Sequence, residues 1–116
     1  MLRTVAVDFD DVIHEYRGWT GDSPEGDSIQ EALAGCGALA LRFDKMILFT
    51  TRKNEFVKPW LDHHGFVHLF AEITAVKPPY VCLIDDRVLS FDSSWEGIPQ
   101  AADRFRAHWE PPEGKL

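Results

Sequence analysis

Short apolar runs separated by polar or helix-like segments make up the hydrophobic pattern of this 116-residue chain. Residues 4–8, 45–49 and 81–84 (TVAVD, KMILF and VCLI) are almost continuously apolar, which is typical of strands that are covered on both faces. A further strand is expected somewhere in residues 66–73. Strands of this kind, alternating with helices, predict an α/β fold with a Rossmann-like, mostly parallel sheet flanked by helices.

Two helices are predicted from apolar spacing and from start signals. Ser28 followed by Glu31 is a capping-box pattern, and apolar residues at helical spacing then predict a helix from about residue 29 to 41. A last helix is expected around residues 100–108, with Trp109 on its apolar face. These helices lie between and after the strands, as an α/β fold requires.

A further helix is predicted from its stop signal. It is expected to end at His63 or His64, because Gly65 follows and glycine favours the left-handed conformation that terminates many helices. Pro59 is expected in or near the first turn of this helix, where its missing N–H costs nothing.

A polar segment rich in Gly, Ser and Pro follows the first strand. Residues 12–27, which we call the flap, form a long excursion for a small protein, and long excursions are often functional. The chain length otherwise fits one domain over residues 1–116, with a loose tail at about residues 110–116.

Composition and charge narrow the classes of partner. The net charge of -7 argues against a broad nucleic-acid-binding face, because such a face neutralises phosphates with Lys and Arg. No apolar run approaches the length of a membrane span, so a soluble, cytoplasmic protein without a membrane partner is expected. Cys36 and Cys82 stand singly in apolar surroundings, which favours buried free thiols in a reducing compartment.

Chemically active side chains follow the predicted strands at the points where those strands end. They are Asp8 and Asp10 after the first strand, Thr50 after the second, Lys77 in a Pro-rich turn, and Asp85 with Asp86 after the strand at residues 81–84. The carboxyl ends of parallel strands meet at one sheet edge, so these groups are expected to converge. Crowded carboxylates repel unless a cation neutralises them, and oxygen ligands favour Mg²⁺.

A divalent metal with carboxylates, a lysine and a hydroxyl is suited to phosphoryl transfer, in which negative charge must be stabilised. One carboxylate can attack phosphorus and form a covalent intermediate. A neighbouring carboxylate can then protonate the leaving oxygen and activate water.

The same residues, in the same order, resemble the motifs of the haloacid dehalogenase-like superfamily, whose members are mostly Mg²⁺-dependent phosphotransferases on a Rossmann-like sheet. These motifs are an apolar strand followed by DxD, a strand followed by Thr, a Lys, and a strand followed by DD. The resemblance covers roughly residues 5–91, and the first motif reads VAVDFDDV.

This resemblance implies roles for the four acids. Asp8 would be the nucleophile and a metal ligand. Asp10 would be the general acid/base and would offer its backbone carbonyl to the metal. Asp86 would be the metal ligand of the last motif, with Asp85 beside it as an additional ligand or support.

The resemblance also assigns the remaining polar groups. Thr50 would hold a phosphoryl oxygen, with Thr51 as the rival for that role, and Lys77 would steady the aspartyl phosphate. Arg52 either recognises a substrate phosphate through its planar fork or pairs with an acid of the flap. His14 lies close enough to the first motif to reach a substrate.

Members of this superfamily commonly carry a cap domain, but residues 12–28 and 52–76 are too short for one. The chain therefore resembles capless members, whose open cleft goes with large substrates or with closure by another subunit. Expected partners are a phosphorylated small molecule or a phosphorylated macromolecule end, and a second copy of the chain covering the cleft. Within the superfamily the chain is similar to the phosphatase halves of polynucleotide kinase-phosphatases and to small bacterial and phage phosphatase-like proteins, and the second of these two likenesses is the closer.

The sequence thus predicts a Mg²⁺-dependent phosphomonoester phosphatase that works through an aspartyl phosphate. A nucleotide or nucleic-acid-end phosphatase is a narrower alternative, and phosphonatase or dehalogenase activity is less favoured. From another class, a receiver-like regulatory domain uses similar groups, but its acids and lysine come in a different order. A phosphate-binding protein that has lost catalysis is the remaining alternative.

Overall fold

The computed structural model describes residues 2–106 and residue 110. In chain order the regular elements are β1 (Thr4–Asp8), α1 (Ala32–Ala40), β2 (Lys45–Phe49), α2 (Asn54–His63), a 3₁₀ turn (Val67–Leu69), β3 (Glu72–Thr74), β4 (Cys82–Ile84) and α3 (Ile98–Arg104). Helices and strands alternate along the chain, which confirms the predicted α/β class.

The strands form one four-stranded sheet in the order β3-β2-β1-β4, and every pairing is parallel. β1 lies between β2 and β4, with Asp8 opposite Phe49 and Val7 opposite Ile84. Thr50 and Asp85 each follow directly after one of these partner residues. The register therefore brings the carboxyl ends of β1, β2 and β4 to one edge of the sheet.

β1 is buried on both faces, as its continuous apolar pattern predicts. Val5, Ala6 and Val7 are all fully buried, although neighbouring strand residues point to opposite faces. Burial of a valine or leucine side chain contributes about 1.5–3 kcal/mol, so this central strand is a firm base for the residues that follow it. Phe9 and Ile13 are fully buried just beyond it, at the start of the following loop.

α2 packs an amphipathic face into the core, where Val57, Trp60 and Leu61 are buried. Its end at His63 is as predicted, and Gly65 adopts the expected positive φ of 83°. The prediction for Pro59 is wrong, because Pro59 lies inside the helix beyond its first turn. The periodic burial of the flanking residues holds the helix together despite the missing N–H donor.

α1 begins later than the capping-box pattern predicts. The helix starts at Ala32, its N-cap is Glu31 with a φ of 72°, and no side chain caps it. Ser28 instead pairs with His14 in an isolated bridge, and the N–H of Ile29 donates to the carbonyl of Ile13. Local pairing with the first loop thus takes up the residues that the sequence assigns to the first helical turn.

The predictions for the third strand and for the two cysteines are only partly confirmed. The third strand lies at the end of the expected window and beyond it, because residues 67–69 form a 3₁₀ turn. Cys36 is buried and Cys82 is exposed, so the prediction of a buried thiol is wrong for Cys82, which lies on the edge strand β4. Both thiols are free, as predicted.

The chain divides into two compact units between Asp85 and Asp86. The first contains the sheet, α1 and α2, and the second contains α3, which begins earlier than predicted. The prediction that this helix continues to residue 108 is wrong, because the helix ends at Arg104 and the backbone of Phe105 is extended. Residues 107–109, which include Trp109, and the tail from residue 111 lie outside the described residues. In the described part of the chain, no helix has both the length and the apolar character needed to cross a bilayer.

Candidate functional site

The carboxyl end of β1 carries a buried acid that meets a second acid from β4. Asp8 is only 6% exposed, and Asp85 is half-buried. A carboxylate oxygen of Asp8 and one of Asp85 lie within 4.8 Å of each other. Asp86 is the next residue along the chain, is exposed, and opens the second compact unit. The sheet register thus brings Asp8 and Asp85 together as the sequence predicts.

Thr50 and Thr51 differ in burial although they are neighbours. Thr50 is buried directly after β2, and its N–H donates to the carbonyl of Thr74 at 2.9 Å. Its hydroxyl oxygen accepts a hydrogen bond from the N–H of Arg52 at 3.2 Å, which closes a tight turn at the strand end. Thr51 is exposed. The turn therefore places only Thr50 at the buried strand end.

Asp10 is held by an arginine and a histidine side chain. The Arg52 Nε donates to Asp10 Oδ2 at 2.8 Å, and His14 Nδ1 lies 2.8 Å from Asp10 Oδ1. The Arg52 and His14 side chains are almost completely buried, whereas that of Asp10 keeps a quarter of its surface exposed. Arg52 thus pairs with an acid, but with Asp10 and not with an acid of the flap.

The electrostatic setting of Asp10 favours its charged form. Burial alone raises the pKa of Asp10, but the hydrogen bonds and charges of His14 and Arg52 outweigh this effect. The net pKa of Asp10 is lowered from its ordinary value. At neutral pH Asp10 is therefore a carboxylate whose two oxygens already accept hydrogen bonds.

His14 joins Asp10 to the far side of the flap. Its Nε2 lies 2.5 Å from the carbonyl oxygen of Glu25, while its Nδ1 contacts Asp10. The ring therefore bridges the Asp10 carboxylate and the backbone of the flap. The ring also stacks on Phe9 at 5.2 Å between centroids, which fixes its plane.

Lys77 differs from the other residues predicted to be catalytic. Asp8 and Thr50 are buried and Asp10 is partly buried, but Lys77 is exposed in the connection between β3 and β4. Its ammonium group lies 5.8 Å from the centroid of the Tyr80 ring. The lysine is thus held near its own turn by a weak cation–π contact.

Sequence reasoning missed the contribution of Trp60 to this region. Its Nε1 donates to the carbonyl of Gly26 at 3.0 Å, and its ring meets His14 edge-on at 5.5 Å. The helical spacing of Trp60 signals a core position, which is right for the ring. No signal in the sequence reveals which carbonyl its N–H will reach.

The donor set at the strand end suits a hard divalent cation. Asp8 and Asp85 offer only carboxylate oxygens, which Mg²⁺ and Ca²⁺ prefer, and neither a thiol nor an imidazole contributes to this pair. The burial of Asp8 makes a neutralising cation more valuable there than on an open surface. The two carboxylates therefore fit the predicted Mg²⁺.

Comparisons with known proteins returned no match to a family model, to a curated protein or to a solved structure.

Proposed function

We propose that this chain is a Mg²⁺-dependent phosphomonoester phosphatase of the haloacid dehalogenase-like type, with Asp8 as its nucleophile. The observation that carries the proposal is the approach of Asp8 and Asp85 at the carboxyl ends of adjacent parallel strands. Asp8 is buried at the end of a fully buried strand, so its carboxylate has a fixed direction. Fixed carboxylates beside a hydroxyl form a suitable cradle for a phosphoryl group.

In the proposed reaction an Asp8 oxygen forms a bond to phosphorus and the ester P–O bond breaks. The leaving alkoxide takes a proton from solvent. Water then attacks phosphorus, loses a proton to the Asp10 carboxylate and breaks the bond between Asp8 and phosphorus, which releases phosphate and restores the Asp8 carboxylate. Bound Mg²⁺ would offset the charge of the carboxylates and of the phosphoryl oxygens. Thr50, which follows β2 at the same edge, would supply a hydroxyl, and Lys77 would supply a positive charge.

Asp10 is the proposed proton-handling group, and its setting limits how it can act. The contacts with Arg52 and His14 favour the ionised carboxylate, which can accept a proton from water but donates one poorly. The proposed enzyme is therefore better suited to substrates whose leaving group departs without prior protonation.

The same observation favours one second candidate, a phosphate-binding protein without turnover. If the Asp10 carboxylate serves only to hold the surrounding chain, the strand end could still bind a phosphoryl group together with Mg²⁺. This candidate predicts saturable binding of phosphate in the presence of Mg²⁺ and no release of phosphate from esters.

Phosphate release tests the proposal, with a panel of para-nitrophenyl phosphate, sugar phosphates, nucleotides and 3′- and 5′-phosphorylated DNA ends. We expect Mg²⁺-dependent turnover that Asp8→Asn abolishes, because an amide is not a nucleophile for phosphorus. Asp44→Asn is the matched control, since Asp44 accepts from the N–H of Arg3 at the opposite end of β2. No turnover across the panel, or turnover that survives Asp8→Asn, would contradict the proposal.

A further inference from the structure

The flap is a closed loop whose two ends lie side by side. The N–H of Glu15 donates to the carbonyl of Asp27 at 3.0 Å, and the N–H of Ile29 donates to that of Ile13 at 2.7 Å. Loops with neighbouring ends are commonly ordered by their own side chains. In this flap one of its own side chains, His14, and two side chains from the following elements, Arg52 and Trp60, supply the contacts to its backbone.

Arg52 reaches the flap from the turn after β2. Its guanidinium NH1 donates to the carbonyls of Gly21 and Asp22, at 3.3 and 3.1 Å, while its Nε donates to Asp10. The indole of Trp19 lies on this guanidinium, 4.7 Å from Cζ to the ring centroid. One buried arginine thus binds the Asp10 carboxylate and the tip of the flap at the same time.

His14 makes the second such link, since one ring nitrogen contacts Asp10 and the other contacts the carbonyl of Glu25. Trp60 makes a third contact, with the carbonyl of Gly26, but its N–H does not bind Asp10. The flap backbone between residues 21 and 26 therefore receives three different side chains. Two of these three side chains also bind Asp10.

We propose that Asp10 and the flap form a single rigid assembly, in which Arg52 and His14 are positioning residues that orient the Asp10 carboxylate. The flap is then a fixed wall beside Asp10 and not a mobile lid. Arg52, which binds one anion and two carbonyls, acts through Asp10 and not as a ligand of the substrate phosphate. The catalytic consequence rests on the proposed function, whereas the rigid assembly does not.

Hydrogen exchange of the flap amides tests the assembly without any need for activity. Arg52→Lys keeps the charge but loses the planar fork, and His14→Gln loses the ring whose two nitrogens face Asp10 and the carbonyl of Glu25. Arg42→Lys and His68→Gln are matched controls at exposed residues. We expect exchange across residues 15–27 to accelerate by about tenfold or more in the first pair, because bonds to charged groups are lost, and to stay unchanged in the controls.

Trypsin cleavage gives a second readout of the same property. The Arg17 side chain is 80% exposed, so the bond after Arg17 resists the protease only as long as the flap keeps its conformation. We expect cleavage at this bond, identified by mass spectrometry, to accelerate in Arg52→Lys and His14→Gln while a urea titration still shows a folded protein. Fast wild-type cleavage and exchange, equal to those of the variants, would overturn the rigid assembly.

Kinetics with para-nitrophenyl phosphate and Mg²⁺ test the positioning role. A misdirected Asp10 lowers kcat with little change in KM, whereas loss of a substrate ligand raises KM. Trp60→Phe keeps an aromatic side chain but removes the indole N–H that donates to Gly26, so it loosens the flap without removing a hydrogen bond to Asp10. We expect kcat to fall in Arg52→Lys and His14→Gln much more than in Trp60→Phe.

A rise in KM alone in Arg52→Lys, or an equal fall in kcat in Trp60→Phe, would overturn the positioning role. Absence of turnover in the wild type would overturn the proposed function and this role together. In that case the exchange and cleavage results still decide whether Asp10 and the flap form one assembly.

Discussion

Asp8 and Asp10 stand two residues apart, yet the fold places them in different surroundings. Asp8 ends a buried strand, and its carboxylate lies close to that of Asp85 after a neighbouring strand. Asp10 lies in the loop just beyond and accepts hydrogen bonds from Arg52 and His14, so its charge is balanced within the protein. Asp8 and Asp85 thus offer carboxylate oxygens within reach of one cation, whereas both oxygens of Asp10 lie against side chains of the protein.

This difference follows from local backbone structure. The side chain of Asp8 is directed by the pleat of β1, and parallel strands bring other strand-end residues to the same edge. Asp10 belongs to the turn in which the N–H groups of Ile13 and His14 both donate to the carbonyl of Phe9. That turn brings His14 back to Asp10, and the next strand delivers Arg52 to the same carboxylate.

The first prediction concerns removal of the Arg52 guanidinium that pairs with Asp10. Arg52→Met keeps the length of the side chain but removes the guanidinium that pairs with Asp10, and loss of one partner of a buried pair costs about 3–5 kcal/mol. Because Asp10 keeps some contact with water, we expect the free energy of unfolding to fall by about 3 kcal/mol in urea titrations. Arg42→Met is the control, and equal small losses in both variants would show that the Arg52 pair does not stabilise the fold.

A second prediction concerns the leaving group of the substrate. General acid catalysis contributes about 10²–10⁴-fold in rate, and the hydrogen-bonded Asp10 carboxylate is a poor proton donor. We expect kcat/KM for para-nitrophenyl phosphate to exceed that for glycerol phosphate by about a hundredfold or more. Equal values for the two esters would show that Asp10, or another group, protonates the leaving oxygen effectively.

A third, smaller effect is expected in the pH dependence of stability. The folded pKa of Asp10 is below its ordinary value of 3.8, so its stabilising contribution is complete above that pH and is lost as pH falls through the lowered pKa. We expect Asp10→Asn to be less stable than the wild type by about 1–2 kcal/mol near neutral pH. The difference in the free energy of unfolding between the two proteins should decrease below pH 3.8, as measured by urea titrations at a series of pH values.

A difference that stays constant down to the lowest accessible pH would contradict the assignment of this stability to Asp10. Asp44→Asn is again the matched control, because Asp44 is exposed and lies away from the carboxyl ends of the strands.

The sequence predicted the parts of the structure that depend on periodicity and strand order. The apolar runs located β1, β2 and β4. Because the carboxyl ends of parallel strands meet at one sheet edge, the sequence also predicted that Asp8 and Asp85 lie close together. The start of α1 was not predictable, because the pairing of Ser28 with His14 competes with the capping box. That competition depends on the path of the flap, which no local pattern encodes.

The side chains that contact Asp10 could not be predicted from local sequence patterns either. The sequence offered two roles for Arg52, and neither of them identified Asp10 as its partner. The contacts of Arg52 and Trp60 with the flap join residues about thirty positions apart, and they require the flap to be in place first. Reasoning from types of side chain thus located the polar residues but could not assign their partners.

Trapping the proposed covalent intermediate tests directly whether Asp8 is the nucleophile. Wild-type protein is quenched in acid during turnover of para-nitrophenyl phosphate with Mg²⁺, and borohydride then reduces any acyl phosphate to an alcohol that peptide mass spectrometry can locate. We expect reduction at Asp8, with Asp10 unchanged. Reduction at Asp10, or steady turnover with Asp8 unmodified, would contradict it.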